Sequence, residues 1–187
     1  MTRSLATTLG PAPIVDFDGT MAYLPVDWVT LRRRLRVGSL NELWDNDDHA
    51  DWAAVTAAEL TAIDRARPIP ATLEALAAAS GFVVVTDNHE SVVSAFLSQH
   101  RQLASKVLAV FGRGYHGGPK RNQEVFERAF RAASSLVGDL SDQVVYCGDQ
   151  DYELQFATTL GARAVRVLLS GELDLQPSLA QASKGNR

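Results

Sequence analysis

Two aspartates, Asp16 and Asp18, follow a short apolar stretch and stand directly before Gly19. In an extended chain, residues i and i+2 face the same side, so the two carboxylates are expected to converge on one site. Such a pair suits a magnesium ion, which accepts oxygen ligands and keeps open positions for phosphate oxygens. The alternative is an ordinary Asp-Gly turn whose carboxylates cap backbone amides. Taken alone, the pair fits both interpretations.

Other polar groups follow the ends of other apolar runs. Residues 82–85 are β-branched or aromatic and are followed by Thr86 and Asn88. The run 144–147 ends shortly before Asp149. If these runs are parallel strands, their carboxyl ends meet at one edge of a sheet, which is where such sheets bind ligands. The sequence therefore predicts one site that collects these side chains.

The apolar patterning predicts an α/β fold, in which a Rossmann-like parallel sheet has helices on both faces. After Lys120, apolar residues recur at spacings of three and four and predict an amphipathic helix through Val125, Phe126, Ala129, Phe130, Ala133 and Leu136. Beyond Gly171 the chain turns polar and is expected to form a loose tail. The predicted strands cover residues 13–17, 82–85, 107–111, 144–147 and 164–169.

The segment between the first two predicted strands has mainly helical patterning and contains all three tryptophans, Trp28, Trp44 and Trp52. These side chains could line a substrate pocket, although aromatic residues at helical spacing more often belong to a core. A second motif, Gly-x-Gly-x-x-Gly at residues 112–117, matches a dinucleotide fingerprint literally. Pro119 interrupts the helix that such a fingerprint requires, so we do not expect a dinucleotide site there.

In this order, the motifs resemble those of the haloacid dehalogenase-like (HAD) hydrolase superfamily, in particular its phosphatase branch with a small helical cap. The residues 16–20 are similar to the first motif of that family, Thr86 to the second, Lys120 to the third and residues 148–153 to the fourth. The resemblance implies a HAD-like α/β core formed by residues 1–20 and 81–187. It also implies a small α-helical cap, residues 21–80, inserted after the first strand.

The resemblance further implies a role for each matching residue. Asp16 would be the nucleophile, Asp18 the general acid and base, and Thr86 and Lys120 would contact the phosphoryl group. The residues expected to complete phosphate or substrate binding are Gly19, Thr20, Asp87 and Asn88. The expected ligands of Mg²⁺ are Asp16, Asp18 through its backbone carbonyl, Asp149 and Glu153. The fourth motif carries an additional acid, Asp151, which should point away from Glu153.

The implied function is a magnesium-dependent phosphomonoester hydrolase that acts on a small phosphorylated metabolite through an aspartyl-phosphate. Asp18 favours this over dehalogenation, because a departing halide needs no proton whereas an alkoxide does. One alternative is a phosphotransferase or phosphomutase that uses the same intermediate. Another is a non-catalytic module that binds a phosphorylated ligand, but simple binding needs no nucleophile.

Composition limits the partners. The 187 residues carry a net charge of −4, which gives no basic field for nucleic acids. We find no apolar run of membrane-spanning length and no signal peptide in residues 1–10. The single cysteine, Cys147, allows no disulfide framework, so a buried thiol and a reducing cytoplasm are the simplest expectations. The expected partner is thus the phosphorylated substrate, without nucleic acid or membrane.

Overall fold

A computed structural model describes residues 9–45, 49–138, 143–168, 170 and 172–175. Its strands, in chain order, are β1 (Ile14–Val15), β2 (Ala22–Tyr23), β3 (Arg67–Pro68), β4 (Phe82–Val85), β5 (Val107–Phe111), β6 (Val145–Gly148), β7 (Arg163–Val167) and β8 (Leu173–Leu175). Its α-helices are α1 (Trp28–Leu35), α2 (His49–Ala62), α3 (Pro70–Ala78), α4 (Glu90–Gln99), α5 (Arg101–Ala104), α6 (Arg113–His116), α7 (Gln123–Val137) and α8 (Asp151–Thr159). Two 3₁₀ turns cover Leu40–Trp44 and Ile63–Arg65.

The main sheet has the strand order β5-β4-β1-β6-β7-β8 within the described residues. Strand β1 lies at its centre and pairs in parallel with both β4 and β6. The pairs β4–β5 and β6–β7 are also parallel, and only β8 runs antiparallel, along the edge of β7. The predicted α/β fold with a Rossmann-like parallel sheet is therefore confirmed.

Alternate residues of the strands bury against helices on opposite faces of the sheet. Val15 and Val84 belong to an apolar cluster with residues of α3 and α4. Their neighbours Ile14 and Val83 belong to a second cluster, with residues of α7 and α8. A sheet covered on both faces needs apolar residues at every strand position, which explains why these strands read as continuous apolar runs.

The helical insertion leaves and rejoins the core through a short two-stranded connection. Strands β2 and β3 pair antiparallel, so the start and the end of the insertion lie side by side. Helices α1 and α2 and the first 3₁₀ turn enclose a small apolar cluster of their own, centred on Leu31, Leu43 and Val55. By contrast, Leu76 of α3 packs within the main core. The predicted boundaries between the α/β core and the helical cap, at residues 20/21 and 80/81, stay a prediction.

The elements differ from the sequence predictions mostly at their ends. The structure confirms the strands at 82–85 and 107–111, whereas β1 is limited to Ile14–Val15. The predicted loose tail was wrong for residues 173–175, which form edge strand β8, and its residues 176–187 lie outside the described part of the chain. Leu136 was wrongly assigned to the apolar face of α7, because its side chain is 44% exposed.

The structure also bears on two predictions from composition. Cys147 lies in β6 as a buried free thiol, and burial raises its pKa. None of the helices in the described ranges has the length and apolar character needed to cross a bilayer.

Helix α7 supplies the first testable prediction. Phe126 is fully buried, and its ring contacts those of Phe130, Tyr146 and Phe156. We expect Phe126→Ala to lower the free energy of unfolding by about 3–5 kcal/mol, because it removes a large buried ring and leaves a cavity. Leu136→Ala on the same helix is the control and should change it by at most about 0.5 kcal/mol. Urea denaturation measures both values; equal losses would contradict the packing described for α7.

Candidate active site

The predicted functional residues meet at the carboxyl ends of β1, β4 and β6. A cavity of about 230 Å³ opens there. It is lined by eight of the ten predicted site residues, namely Asp16, Asp18, Thr86, Asp87, Asn88, Lys120, Asp149 and Glu153. Gly19 and Thr20 lie beside it, in the turn after β1, and both are buried. Residues that are far apart in sequence are therefore brought together by the strand order.

The turn after β1 holds both aspartates. The backbone amide of Asp16 donates to the carbonyl of Cys147, 2.9 Å away, which ties the turn to β6. The Oδ1 atom of Asp18 accepts a hydrogen bond of 2.9 Å from the amide of Leu24. Gly19 has a φ of +80°, and a Cβ there would lie 2.6 Å from Oδ2 of Asp149. Glycine is required because any side chain would be strained and would displace that carboxylate.

Lys120 lies between two carboxylates in the buried wall of the cavity. Its Nζ is 2.6 Å from Oδ1 of Asp16 and 2.6 Å from Oε1 of Glu153, and it also donates to the carbonyl of Val85 at 3.2 Å. Burial alone would lower the pKa of Lys120, but the adjacent Asp16 and Glu153 carboxylates raise it well above its ordinary value. The side chain is therefore a permanent positive charge at neutral pH.

Glu153 is held from several sides. Its Oε2 accepts from the hydroxyl of Tyr146 at 2.9 Å, and its Oε1 accepts from that of Tyr152 at 3.2 Å as well as from Lys120. Burial raises the pKa of Glu153 to about 7, against the opposing effect of Lys120. Both carboxylate oxygens therefore have partners within the protein, and the shortest of these contacts is the one with Lys120. Asp151 forms an ion pair with Arg166 outside the cavity, as its position in the motif predicted.

Three carboxylates have the spacing of a metal site. One oxygen from each of Asp16, Asp149 and Glu153 lies within 4.8 Å of the other two. Oδ1 of Asp149 is buried and has no hydrogen-bond partner among the described residues. Burial, together with the charge of Asp16, raises the pKa of Asp149, and burial raises that of Asp18 to about 7. An unpartnered carboxylate oxygen in an acidic cavity fits a divalent cation.

The loop after β4 provides the other wall. The hydroxyl of Thr86 donates to Oδ1 of Asn88 at 2.9 Å, and Oδ1 of Asp87 accepts from the amide of Lys120 at 2.9 Å. His116 donates from Nε2 to the carbonyl of Thr86 at 2.8 Å. These contacts connect the loop after β4 to helix α6, through His116, and to the segment before α7, through Lys120. They place the Thr86 side chain at the cavity surface.

The sequence did not single out Glu59 and Arg113, which form a buried ion pair between α2 and α6. The two Nη atoms of Arg113 donate to the two carboxylate oxygens of Glu59 at 2.8 and 3.2 Å. Glu59 also accepts from Nδ2 of Asn88 at 2.9 Å, and Arg113 donates to Thr56 at 2.7 Å. Arg113 lies in the glycine-rich segment 112–117, but no local pattern names its partner. The pair connects the helical insertion to the loop after β4.

The three tryptophans lie at the opening of the site. All three line the cavity and each is only partly buried. Trp44 and Trp52 contact one another with ring centroids 4.6 Å apart, and Arg113 stacks on Trp52 at 4.7 Å. Trp28 and Trp52 also pack against the apolar cluster of the insertion, so they contribute to its core as well as to the cavity wall.

Comparison with solved structures identifies the fold. A CbbY structure from Rhodobacter sphaeroides in complex with phosphate is similar, at 18% identity and a TM-score of 0.57 over 82% of this chain and 84% of that one. A HAD phosphatase from Thermococcus onnurineus is 18% identical, with a TM-score of 0.53 over 87% and 88%. L-2-haloacid dehalogenase from Xanthobacter autotrophicus is 15% identical, with a TM-score of 0.56 over 95% and 83%.

The architecture defines an α/β protein with its ligand site at the carboxyl edge of a parallel sheet. More narrowly, its fold is similar to that of solved haloacid dehalogenase-like proteins, which confirms the fold implied by the motifs. No family model matches the sequence, and neither does any curated protein. At the identities above, structural likeness establishes the fold and leaves the reaction to be argued from the site.

The ion pair of Glu59 and Arg113 generates a second prediction. We expect Glu59→Gln to lower the free energy of unfolding by about 3–5 kcal/mol, because it leaves the Arg113 charge buried without a carboxylate. The matched control is Glu127→Gln, which breaks the exposed i,i+4 pair with Arg131 and should change it by less than about 1 kcal/mol. Thermal and urea unfolding provide the measurement. Similar effects of the two substitutions would refute a buried, structurally important pair.

Proposed function

We propose that this protein is a magnesium-dependent phosphomonoester hydrolase that forms an aspartyl-phosphate on Asp16. The observation that carries the proposal is the contact of 2.6 Å between Asp16 and the permanently charged Lys120, beside the unpartnered oxygen of Asp149. A carboxylate nucleophile next to a fixed cation is suited to receive a phosphoryl group, because positioning and charge neutralisation dominate this chemistry.

The reaction needs two displacements at phosphorus. A carboxylate oxygen of Asp16 bonds to phosphorus as the ester P–O bond breaks, and Asp18 gives its proton to the departing alkoxide. Asp18 then takes a proton from water, whose oxygen attacks the aspartyl-phosphate and releases phosphate. This restores the Asp16 carboxylate and the Asp18 proton. The hydrogen bond from Leu24 to Asp18 holds the acid in the same turn as the nucleophile.

The residues present fit Mg²⁺, which Asp16, Asp149 and the backbone carbonyl of Asp18 would hold. When bound, the cation supplies positive charge that offsets the repulsion between the anionic nucleophile and an anionic substrate. In this proposal Glu153 orients the Lys120 ammonium group, because its oxygens accept from Lys120 and from the hydroxyl of Tyr146.

The remaining residues bind the phosphoryl oxygens or shape the site. Thr86 exchanges its hydrogen bond with Asn88 for one to a phosphoryl oxygen, and Lys120 stabilises the same group electrostatically. Asp87 fixes the backbone of Lys120, while Gly19 lets the turn approach Asp149. The buried hydroxyl of Thr20 has no hydrogen-bond partner in the described structure. In this proposal it is a further group in the turn that contacts the phosphate.

A dehalogenase is the competing hydrolase, because structures with that name are among the similar folds. Displacement of a halide requires a nucleophile but neither a general acid nor a metal ion. The proton of Asp18 and the unpartnered oxygen of Asp149 have no task in that displacement. Both observations therefore support the phosphatase over the dehalogenase.

The nucleophile provides the third prediction. With Mg²⁺ and a panel of phosphate monoesters, we expect Asp16→Asn to reduce phosphate release at least about 10³-fold, because an amide cannot form the covalent intermediate. Asp64→Asn is the control: this carboxylate is exposed, and asparagine keeps the oxygen that accepts from Gln99. It should retain wild-type turnover.

The same assay separates the alternatives. Equal turnover by the wild type and Asp16→Asn would disprove the nucleophile. Phosphoryl transfer to an added alcohol with little release of phosphate would identify a phosphotransferase. Release of halide from a haloacid without phosphatase activity would identify a dehalogenase.

Metal binding supplies the fourth prediction. We expect Asp149→Asn to weaken Mg²⁺ binding by at least about 10-fold, because it removes a charged ligand from the acidic cluster. Asp151→Asn is the matched control two residues away, since that side chain is 88% exposed and pairs with Arg166. Calorimetric titration with MgCl₂ measures both affinities without reference to turnover. Unchanged binding in Asp149→Asn would rule out this cluster as the metal site.

A further inference from the structure

A larger chamber adjoins the catalytic cavity. Its volume is about 660 Å³, against about 230 Å³ for the cavity that contains Asp16. The two share Trp44, Trp52 and Arg113 in their walls, so a molecule held at Asp16 and too long for the cavity would extend past these residues into the chamber. Ligand pockets for medium-sized molecules have volumes of roughly 300–1,000 Å³. The chamber has the capacity for a bulky leaving group and the catalytic cavity does not.

The chamber walls are mainly apolar and aromatic. The insertion contributes Trp44 and Trp52, with Leu43, Ala53, Ala57 and Leu60 beside them. Leu60 is 38% exposed, which is unusual for a large apolar side chain on a helix that has a packed face. The indole rings of Trp44 and Trp52 are tilted by 54° to each other, so they present faces in two directions. Flat apolar groups pack well against such faces.

Two polar side chains of the walls, Arg113 and Thr56, already have partners. Both Nη atoms of Arg113 donate two hydrogen bonds each, to Glu59 twice, to Thr56 and to the carbonyl of Asp87. The Thr56 hydroxyl donates to the carbonyl of Trp52. Among the described lining residues, Arg113 is the only arginine or lysine, and Glu59 neutralises it. The side-chain groups that remain for a second phosphate, a carboxylate or the hydroxyls of a sugar are those of His89 and the indole N–H groups of Trp44 and Trp52.

We infer that the chamber binds an uncharged, aromatic leaving group, so that the substrates are phosphate monoesters of arylalkyl alcohols. Sugar phosphates and bisphosphates are disfavoured by the same chemistry, because the chamber would replace only part of their hydration with hydrogen bonds. The identity of the leaving group rests on the proposed phosphatase function, whereas the binding of an uncharged aromatic group does not.

The substrate test compares esters whose leaving groups have similar acidity. We expect kcat/KM for naphthylethyl phosphate to exceed that for ethyl phosphate by roughly 10- to 100-fold, through burial of the ring system. Glycerol phosphate should be hydrolysed no faster than ethyl phosphate. Equal kcat/KM for the three esters, or a preference for glycerol phosphate, would overturn the inference.

Variants of helix α2 localise the effect. Ala57→Phe fills the chamber and should lower the ratio of kcat/KM between naphthylethyl and ethyl phosphate by about 10-fold. Ala53→Phe, also in the chamber wall, should do the same. Thr61→Phe is the matched control on the same helix, since Thr61 does not line the chamber but a groove beside Pro25 and Leu31, which Ala57 borders and Ala53 does not. A loss of preference that is equal in all three variants would overturn the assignment.

Direct binding separates this inference from the proposed function. We expect naphthylethanol, which carries no phosphate, to bind the wild type and Thr61→Phe in calorimetric titrations and to bind Ala57→Phe at least about 10-fold more weakly. That result without hydrolysis of any ester would support the chamber and reject the phosphatase. Absence of naphthylethanol binding to the wild type would reject the chamber, even if ethyl phosphate were hydrolysed.

Discussion

The ammonium group of Lys120 is held at 2.6 Å by each of two buried carboxylates, those of Asp16 and Glu153. Removing charges from water is unfavourable by several kcal/mol per ion, so these groups can be buried only together. Asp16 lies 104 positions from Lys120 in the sequence, and they meet because β1 lies between β4 and β6. A strand order that moved β1 away from β4 and β6 would separate the lysine from Asp16. The correct topology and the charged centre therefore depend on each other.

The same centre carries an excess of negative charge. Among the described residues, one lysine and one arginine line the cavity with six carboxylates, those of Asp16, Asp18, Glu59, Asp87, Asp149 and Glu153. Burial raises the pKa of Asp18 and of Glu153 to about 7, which means that the cavity favours binding a proton or another cation. A phosphorylated substrate would add further negative charge. This imbalance is a physical reason to expect a divalent cation that does not depend on family resemblance.

Much of this arrangement could be predicted because its signals are local. Strand β4 is a continuous apolar run, and the polar residues at strand ends indicate where parallel strands place a site. Glu59 and Arg113 could not be found in this way, since they are 54 positions apart and each looks like an ordinary surface charge. The exposure of Leu136 was missed because periodicity marks a helix face but not how far the neighbouring elements cover it.

The two halves of the site share one rigid element, helix α2. Through Glu59 it accepts from the amide nitrogen of Asn88, whose side-chain oxygen accepts from the hydroxyl of Thr86 at the proposed phosphoryl site. Through Trp52 and Ala57 the same helix forms the wall of the larger chamber. Because a helix moves as a unit, a displacement of α2 would also displace Asn88, which accepts from the Thr86 hydroxyl before a phosphoryl group takes its place. In the proposed enzyme, selection of the leaving group and orientation of Thr86 would consequently be coupled, although they involve different side chains.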